Sequence, residues 1–281
     1  MPTAESDDAQ VGALIRTNHW RTAAGLLPVH ASRELEVAAT NHSRFMATTP
    51  SSCWPGAHGE VASCMGFTGA DPGSRVRQAG FPGGAAEVIN WDPNPVSSID
   101  GWVWTVYHRQ PFVDARWNVV GYGSVPGPFN GRQTRHNTME FGSLSSMPRG
   151  TIAEPVIFPP PGTTGVPPGF RGDLEGPRPP APRSTMRWPS GQVITVTFPS
   201  NTVTILHHRI YNTLCEPLVH STFARTEDAA HDVTGDRQIA TAGFVFLYAD
   251  TALQPNSDHT VELEAMVDGR RWYRVWSFRT R

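Results

Sequence analysis

The chain contains no lysine: all 23 of its basic residues are arginine. Schiff-base chemistry, a phosphate-loop lysine and a kinase-type nucleotide lysine are thereby excluded. The bias itself reads as codon usage rather than function. Long apolar runs are also missing, and no window approaches the roughly 18 to 20 residues of a membrane-spanning helix. The first eight residues, Met1 to Asp8, are polar. A formal net charge of −2 and a pI near 6.6 leave no electrostatic footprint for nucleic acid or an anionic membrane surface. The G-x-S-x-G elbow, the H-E-x-x-H helix and the C-x-x-C pair are absent, which removes the common hydrolase and structural-zinc signatures. His58-Gly59-Glu60 satisfies the H-x-E half of a zinc deaminase signature, but no P-C-x-x-C follows.

Cysteine is scarce, with three in the chain. Cys53 and Cys64 close a short loop rich in Pro and Gly, which reads as a disulfide formed in an oxidising compartment. Cys215 has no obvious partner and is expected to be a buried free thiol. The polar start fits either a cytosolic protein or one from which a signal peptide has been removed, and the cysteine pair favours the second.

What the chain does have is apolar bulk. Of 281 residues, 38% are hydrophobic, including nine Trp and thirteen Phe, enough for a core in one large or two ordinary domains. Proline marks the division, with twelve of the 26 prolines between Pro148 and Pro189. Such a stretch lacks backbone donors and is expected to be linker or long loops. The expected organisation is a first domain over 1–147, a proline-rich linker leading into the second domain over 148–190, and a β-sandwich over 191–281.

In the first domain, Asp7 or Asp8 is placed to cap a helix carrying Val11, Leu14 and Ile15 and ended by Gly25. Ser32 is placed to cap a second, whose stripe of Leu35, Ala38, Ala39, His42, Phe45 and Met46 follows helical spacing. His42 within that stripe is expected to be a core histidine bonded to backbone. A third helix is expected over Ile99 to His108, and Trp117 to Gly123 reads as a strand. Helices followed by strands around a shared core indicate a layered α/β or α+β domain.

After the boundary the pattern switches to period two, in Val193–Phe198, Val203–Leu206 and Gly243–Tyr248. Val261–Val267 turns at Asp268-Gly269 and returns through Trp272, Trp276 and Phe278, a hairpin by its turn chemistry. These features predict a small antiparallel sandwich of immunoglobulin-like size. His207, His208, His220, His231 and His259 have no ligand-like companions there and are expected at solvated positions.

His58, Glu87 and His108 are the candidate chemistry. Two imidazoles and a carboxylate are the minimum set for holding a divalent metal with an open position. Their spacing does not bring them together; that depends on the fold.

The order of segments supplies one. Asn18 to Val29, Leu35 to Met46, Arg75 to Phe81, Ala86-Glu87-Val88-Ile89, Asp100-Gly101-Trp102 with Tyr107-His108-Arg109, and Val120 to Gly123 resemble the CAP superfamily of cysteine-rich secretory, antigen 5 and pathogenesis-related proteins, in particular its bacterial SCP-like branch. The resemblance covers roughly residues 10 to 142. It implies an α-β-α sandwich with a cleft holding two His and two acidic residues: His58, Glu87 and His108 carry over, and Glu60 and Asp100 are the candidates for the fourth. Ala86 and Val88 depart from the family's G-E-N-I. Tyr107 is a candidate cleft residue, and one of Trp102 and Trp104 a candidate groove wall. Leu253 to Val261 and Trp276 to Thr280 resemble the small β-sandwich appended to some bacterial CAP proteins.

Three functions follow as expectations. The first is a secreted or cell-surface protein whose cleft binds a divalent metal, a small molecule, a lipid or an envelope component. The second is a hydrolase of peptide or cell-wall substrates with Zn²⁺ on His58, His108 and Glu87 and with Glu60 or Asp100 as general base. The third is a non-catalytic structural or adhesion protein, because a shared fold does not establish an enzyme.

Overall fold

The computed structural model describes residues 1–3, 6–147, 150, 154–200, 202–224 and 243–281; the histidine at 231 lies outside them. Packing divides the chain into two compact units, one of residues 1–103 and 110–151, the other of residues 104–109 and 152–281.

In the first unit, helix α1 (Asp8–Ala23) begins at Asp7, whose carboxylate accepts the Gln10 N–H while the Gln10 side chain accepts the Asp7 N–H. This reciprocal capping satisfies two of the donors that a helix start leaves unpaired. Helix α2 (Arg33–Thr48) begins at the expected Ser32. Two shorter helices follow, α3 (Pro72–Gln78) and α4 (Pro95–Val103). The last differs from expectation at both ends. It starts earlier because Asn94 accepts the N–H groups of Val96 and Ser97, and Pro at the first position needs no donor. It stops at Val103, so Trp102 and Trp104 are not on one helix; Trp102 is buried in the first unit, and Trp104 packs in the second.

Four strands, β1 (His30–Ala31), β2 (Ala85–Asn90), β3 (Val119–Phe129) and β4 (Arg132–Gly142), form a sheet in the order β1-β3-β4-β2, parallel at β1 and antiparallel elsewhere. Strand alternation decides its two faces. A Cβ on Gly121 or Gly123 would fall 2.1 or 2.2 Å from α2 backbone atoms, so α2 lies directly on that face. The intervening Tyr122 packs edge-on against Trp102 of α4, and Met139 receives the Thr17 hydroxyl of α1 at 3.8 Å. Helices thus cover both faces, an α-β-α layering.

The second unit is β-rich. Strands β5 (Val156–Phe158), β8 (Ile194–Thr197), β10 (His220–Ala224) and β11 (Phe244–Ala249) form an antiparallel sheet in the order β10-β11-β8-β5. β9 (Val203–Tyr211), β12 (Asp258–Val267) and β13 (Arg270–Arg279) form a second, with β12 central, and β6 (Gly169–Phe170) pairs with β7 (Ser190–Gly191). Ile194, Val196, Val245 and Leu247 of one sheet share a cluster with Ile205, Val261, Leu263 and Trp276 of the other. The β12–β13 turn has the expected form, with Asp268 and Gly269 both at positive φ.

Three expectations change here. The proline-rich stretch is not wholly linker, since β5, β6 and β7 lie within or at its edge; Pro155, Pro159, Pro168 and Pro189 flank these strands, where a missing donor costs nothing. His259 is buried against Phe278, and His208 pairs with His220 at 2.7 Å instead of facing solvent. Cys215 is exposed, at a turn where its φ is +60°.

Candidate functional site

The site of the first unit is built on the α2 face of the sheet. His42 projects from the buried stripe of α2 and is fully enclosed. Its Nε2 lies 2.8 Å from the Ala57 carbonyl, which only accepts, so Nε2 carries a proton. Its Nδ1 lies 2.7 Å from Glu60 Oε1. Backbone bonding is as expected; the carboxylate partner was not foreseen. Glu60 also accepts the Thr68 N–H at 2.6 Å. Burial alone would raise the Glu60 carboxyl, but the bonds from His42 and Thr68 and the charges of His42 and Arg75 outweigh it and hold the group below its usual value.

Arg75, fully buried on α3, is the hub. Nη2 donates to both Glu87 oxygens at 2.8 and 2.6 Å, and Nη1 donates to the carbonyls of His58 and Gly69. One guanidinium therefore fixes strand β2 and the loop carrying His58 together. The Cys53–Cys64 disulfide closes that same loop, as expected.

Glu87 also accepts from His58 Nδ1 at 2.8 Å. Burial would raise Glu87, but His58, the charges of His42 and Arg75, and Glu140 outweigh it and keep the carboxyl at about 2. With Nδ1 committed to Glu87, Nε2 is the ring nitrogen left without a protein partner among the described residues, and the side chain is 44% exposed. Glu140 stands opposite Glu87 in the β2–β4 register, is fully buried, and shares a side-chain hydrogen bond with Glu87. Burial and then the Glu87 charge push it well above the usual carboxylate range.

Of the residues expected to converge, the structure brings together His58 and Glu87. His108 is placed in the second unit, where its Nδ1 lies 3.3 Å from buried Glu175, and Glu175 also accepts the N–H groups of Val106 and Tyr107. Tyr107 is buried in the second unit's aromatic cluster against Phe246 rather than lining a cleft. Asp100 is bound by Arg16 at 2.6 Å and Trp20 at 2.7 Å, and Glu60 is enclosed by His42 and Thr68, so neither is a free general base.

The donor set does not fit a metal. Glu87 spends its oxygens on Arg75 and His58, and among the described residues no group of three or more His, Cys, Asp or Glu is arranged to hold an ion. Arg75, Glu140 and Glu175 were missed. For Glu140 a signal existed, since a carboxylate between Met139 and Phe141 in a strand with both faces covered has no route to water.

The fold and site together define an α-β-α domain with a buried acid–base network beneath one exposed histidine. Residues 14–138 match the model of the cysteine-rich secretory protein family, CAP, and this part of the chain is a CAP domain. No curated protein matches the chain. Among solved structures, the chain is similar to an outer surface protein from Borrelia burgdorferi at 12% identity and a TM-score of 0.37, over 51% of this chain and 100% of that one.

Proposed function

We propose that this CAP-domain protein is secreted or displayed at the cell surface, and that it binds a small or envelope-derived ligand through His58 without metal or catalysis. The observation that carries this is the commitment of Glu87. With its oxygens taken by Arg75 and His58, it serves as the carboxylate that fixes the ring, and the atom offered outward is His58 Nε2. A fixed, half-exposed ring nitrogen suits hydrogen bonding to a ligand hydroxyl or amide. The disulfide supports an oxidising compartment, and among the described residues no helix is long and apolar enough to cross a membrane. An oriented histidine could also act as a base, but among the described residues no hydroxyl or thiol is hydrogen-bonded to it.

The test is calorimetric titration with disaccharide-peptide fragments of cell wall in the presence of chelator, and separately with Zn²⁺ alone. Binding of the fragment, weakened roughly tenfold or more by His58→Ala with the melting temperature little changed, is expected. Stoichiometric micromolar binding of Zn²⁺ that requires His58 would replace this reading with the metal one, and binding of neither would overturn it.

A further inference from the structure

We propose that the tip of the β3–β4 hairpin carries a second binding site, independent of His58, for a six-membered ring bearing a carboxylate. Trp91, Phe129, Asn130, Arg132 and Thr134 line a cavity of about 400 Å³ there, towards the lower end of the roughly 300 to 1,000 Å³ typical of small-ligand sites. A space of that size takes one ring with its substituents.

The apolar wall is rigid. Trp91 and Phe129 are stacked with centroids 4.0 Å apart and planes 5° from parallel, and Trp54 and His136 pack beside them. The indole N–H of Trp91 donates to His136 Nδ1 at 3.2 Å, which leaves the His136 proton on Nε2, donated to the Pro128 carbonyl. The Thr134 hydroxyl donates to the Trp91 carbonyl. The wall therefore has no spare N–H for a ligand, and the Thr134 proton is already spent.

Polar recognition falls to Arg132 and Asn130. Asn130 and Gly131 have φ of +49° and +74°, the tight two-residue turn that Asn-Gly favours, so both side chains stand on a fixed scaffold. Phe129 and Arg132 are directly paired across the hairpin, and Thr134 lies two residues along. All three therefore share one face. Arg132 is exposed and has no ion-pair partner among the described residues. A guanidinium fork matches a planar carboxylate, and a single positive charge balances a single negative one, whereas a phosphate dianion would remain half compensated. Aromatic wall, free cation and cavity size together call for a compact ring with one carboxylate, as in a hexuronic acid or an aromatic acid.

The two sources separate by titrating the full chain with D-glucuronate, benzoate and D-glucose while following the Trp91 indole N–H by NMR. Millimolar or tighter binding of glucuronate, with glucose much weaker, assigns the site to sugar acids; binding of benzoate without glucuronate assigns it to aromatic acids. In either case Arg132→Gln, at an exposed position, is expected to weaken binding by about tenfold or more, and His58→Ala to leave it unchanged. Failure of both acids to bind, or binding unaffected by both Arg132→Gln and Phe129→Leu, would overturn the proposal.

Discussion

Glu87 and Glu140 face each other across the β2–β4 pair, both with buried side chains, and carry opposite protonation states. Arg75 and His58 bond to Glu87 and hold its charge, whereas no described donor reaches the Glu140 oxygens. Two carboxylates side by side in a dry site cannot both be ionised, and the fold decides which one keeps the proton by where it aims a single arginine.

Glu140→Gln tests the protonated state. A carboxyl raised on folding contributes its stability below the unfolded value near 4.5 and loses it as pH rises towards the folded value. Urea unfolding across pH 5 to 8 is expected to show the wild type losing stability relative to the Gln variant as pH increases. A difference constant with pH would refute the assignment.

Glu87 runs the other way. Its folded value of about 2 lies below the usual 4.5, so its stabilisation is present above 4.5 and disappears as pH falls towards 2. Glu87→Gln is expected to cost about 3 kcal/mol at neutral pH by leaving the Arg75 guanidinium half paired inside the protein, and to remove that acid-side loss. Chemical denaturation of both proteins at pH 7 and pH 3 reads both effects.

Reducing the Cys53–Cys64 bond frees the loop that holds His58 and Glu60. For a ring of this length the expected loss is about 2 to 3 kcal/mol, seen as a lower unfolding midpoint with reductant present. Faster hydrogen exchange is expected at Glu60 and Thr68 than at the β3–β4 ladder. Uniform exchange across the unit would show that the loop is held by other means.

Gly123→Ala places a methyl group about 2.2 Å from the Thr40 nitrogen of α2. Backbone cannot yield as a side chain does, so a loss above roughly 3 kcal/mol, or failure to fold, is expected. Gly131→Ala, with open space around it but φ at +74°, is expected to cost only about 1 kcal/mol. Thermal melts of the two variants compare close packing with backbone conformation.

Features set by neighbouring residues could be read directly from the chain. The caps at Asp7 and Ser32, the buried stripe of α2, the Asp268-Gly269 hairpin and the Cys53–Cys64 pair all appear in the structure. Features set by distant partners could not. The conformation of Val106 and Tyr107 depends on a carboxylate at Glu175, sixty-eight residues beyond Tyr107. The role of Glu87 depends on Arg75, which the sequence places at the head of a family-like segment but does not mark as the partner of a carboxylate. A His and a Glu look like ligands until the fold reveals that a guanidinium has already claimed the carboxylate. Cys215 is exposed because a chain reversal, invisible in apolar content, carries it outward.

Arg21 shows the same principle in the architecture of the first unit. Buried in α1, it donates to the carbonyls of Leu27, Phe112, Asp114 and Trp117, three of them more than ninety residues away. The stretch from Phe112 to Trp117 has little regular structure of its own, yet one planar fork gathers its carbonyl oxygens. The instruction for that segment's shape is thus written in a helix near the start of the chain. A substitution at Arg21, even by lysine with its three donors on a single nitrogen, would erase a conformation encoded far from where it is seen.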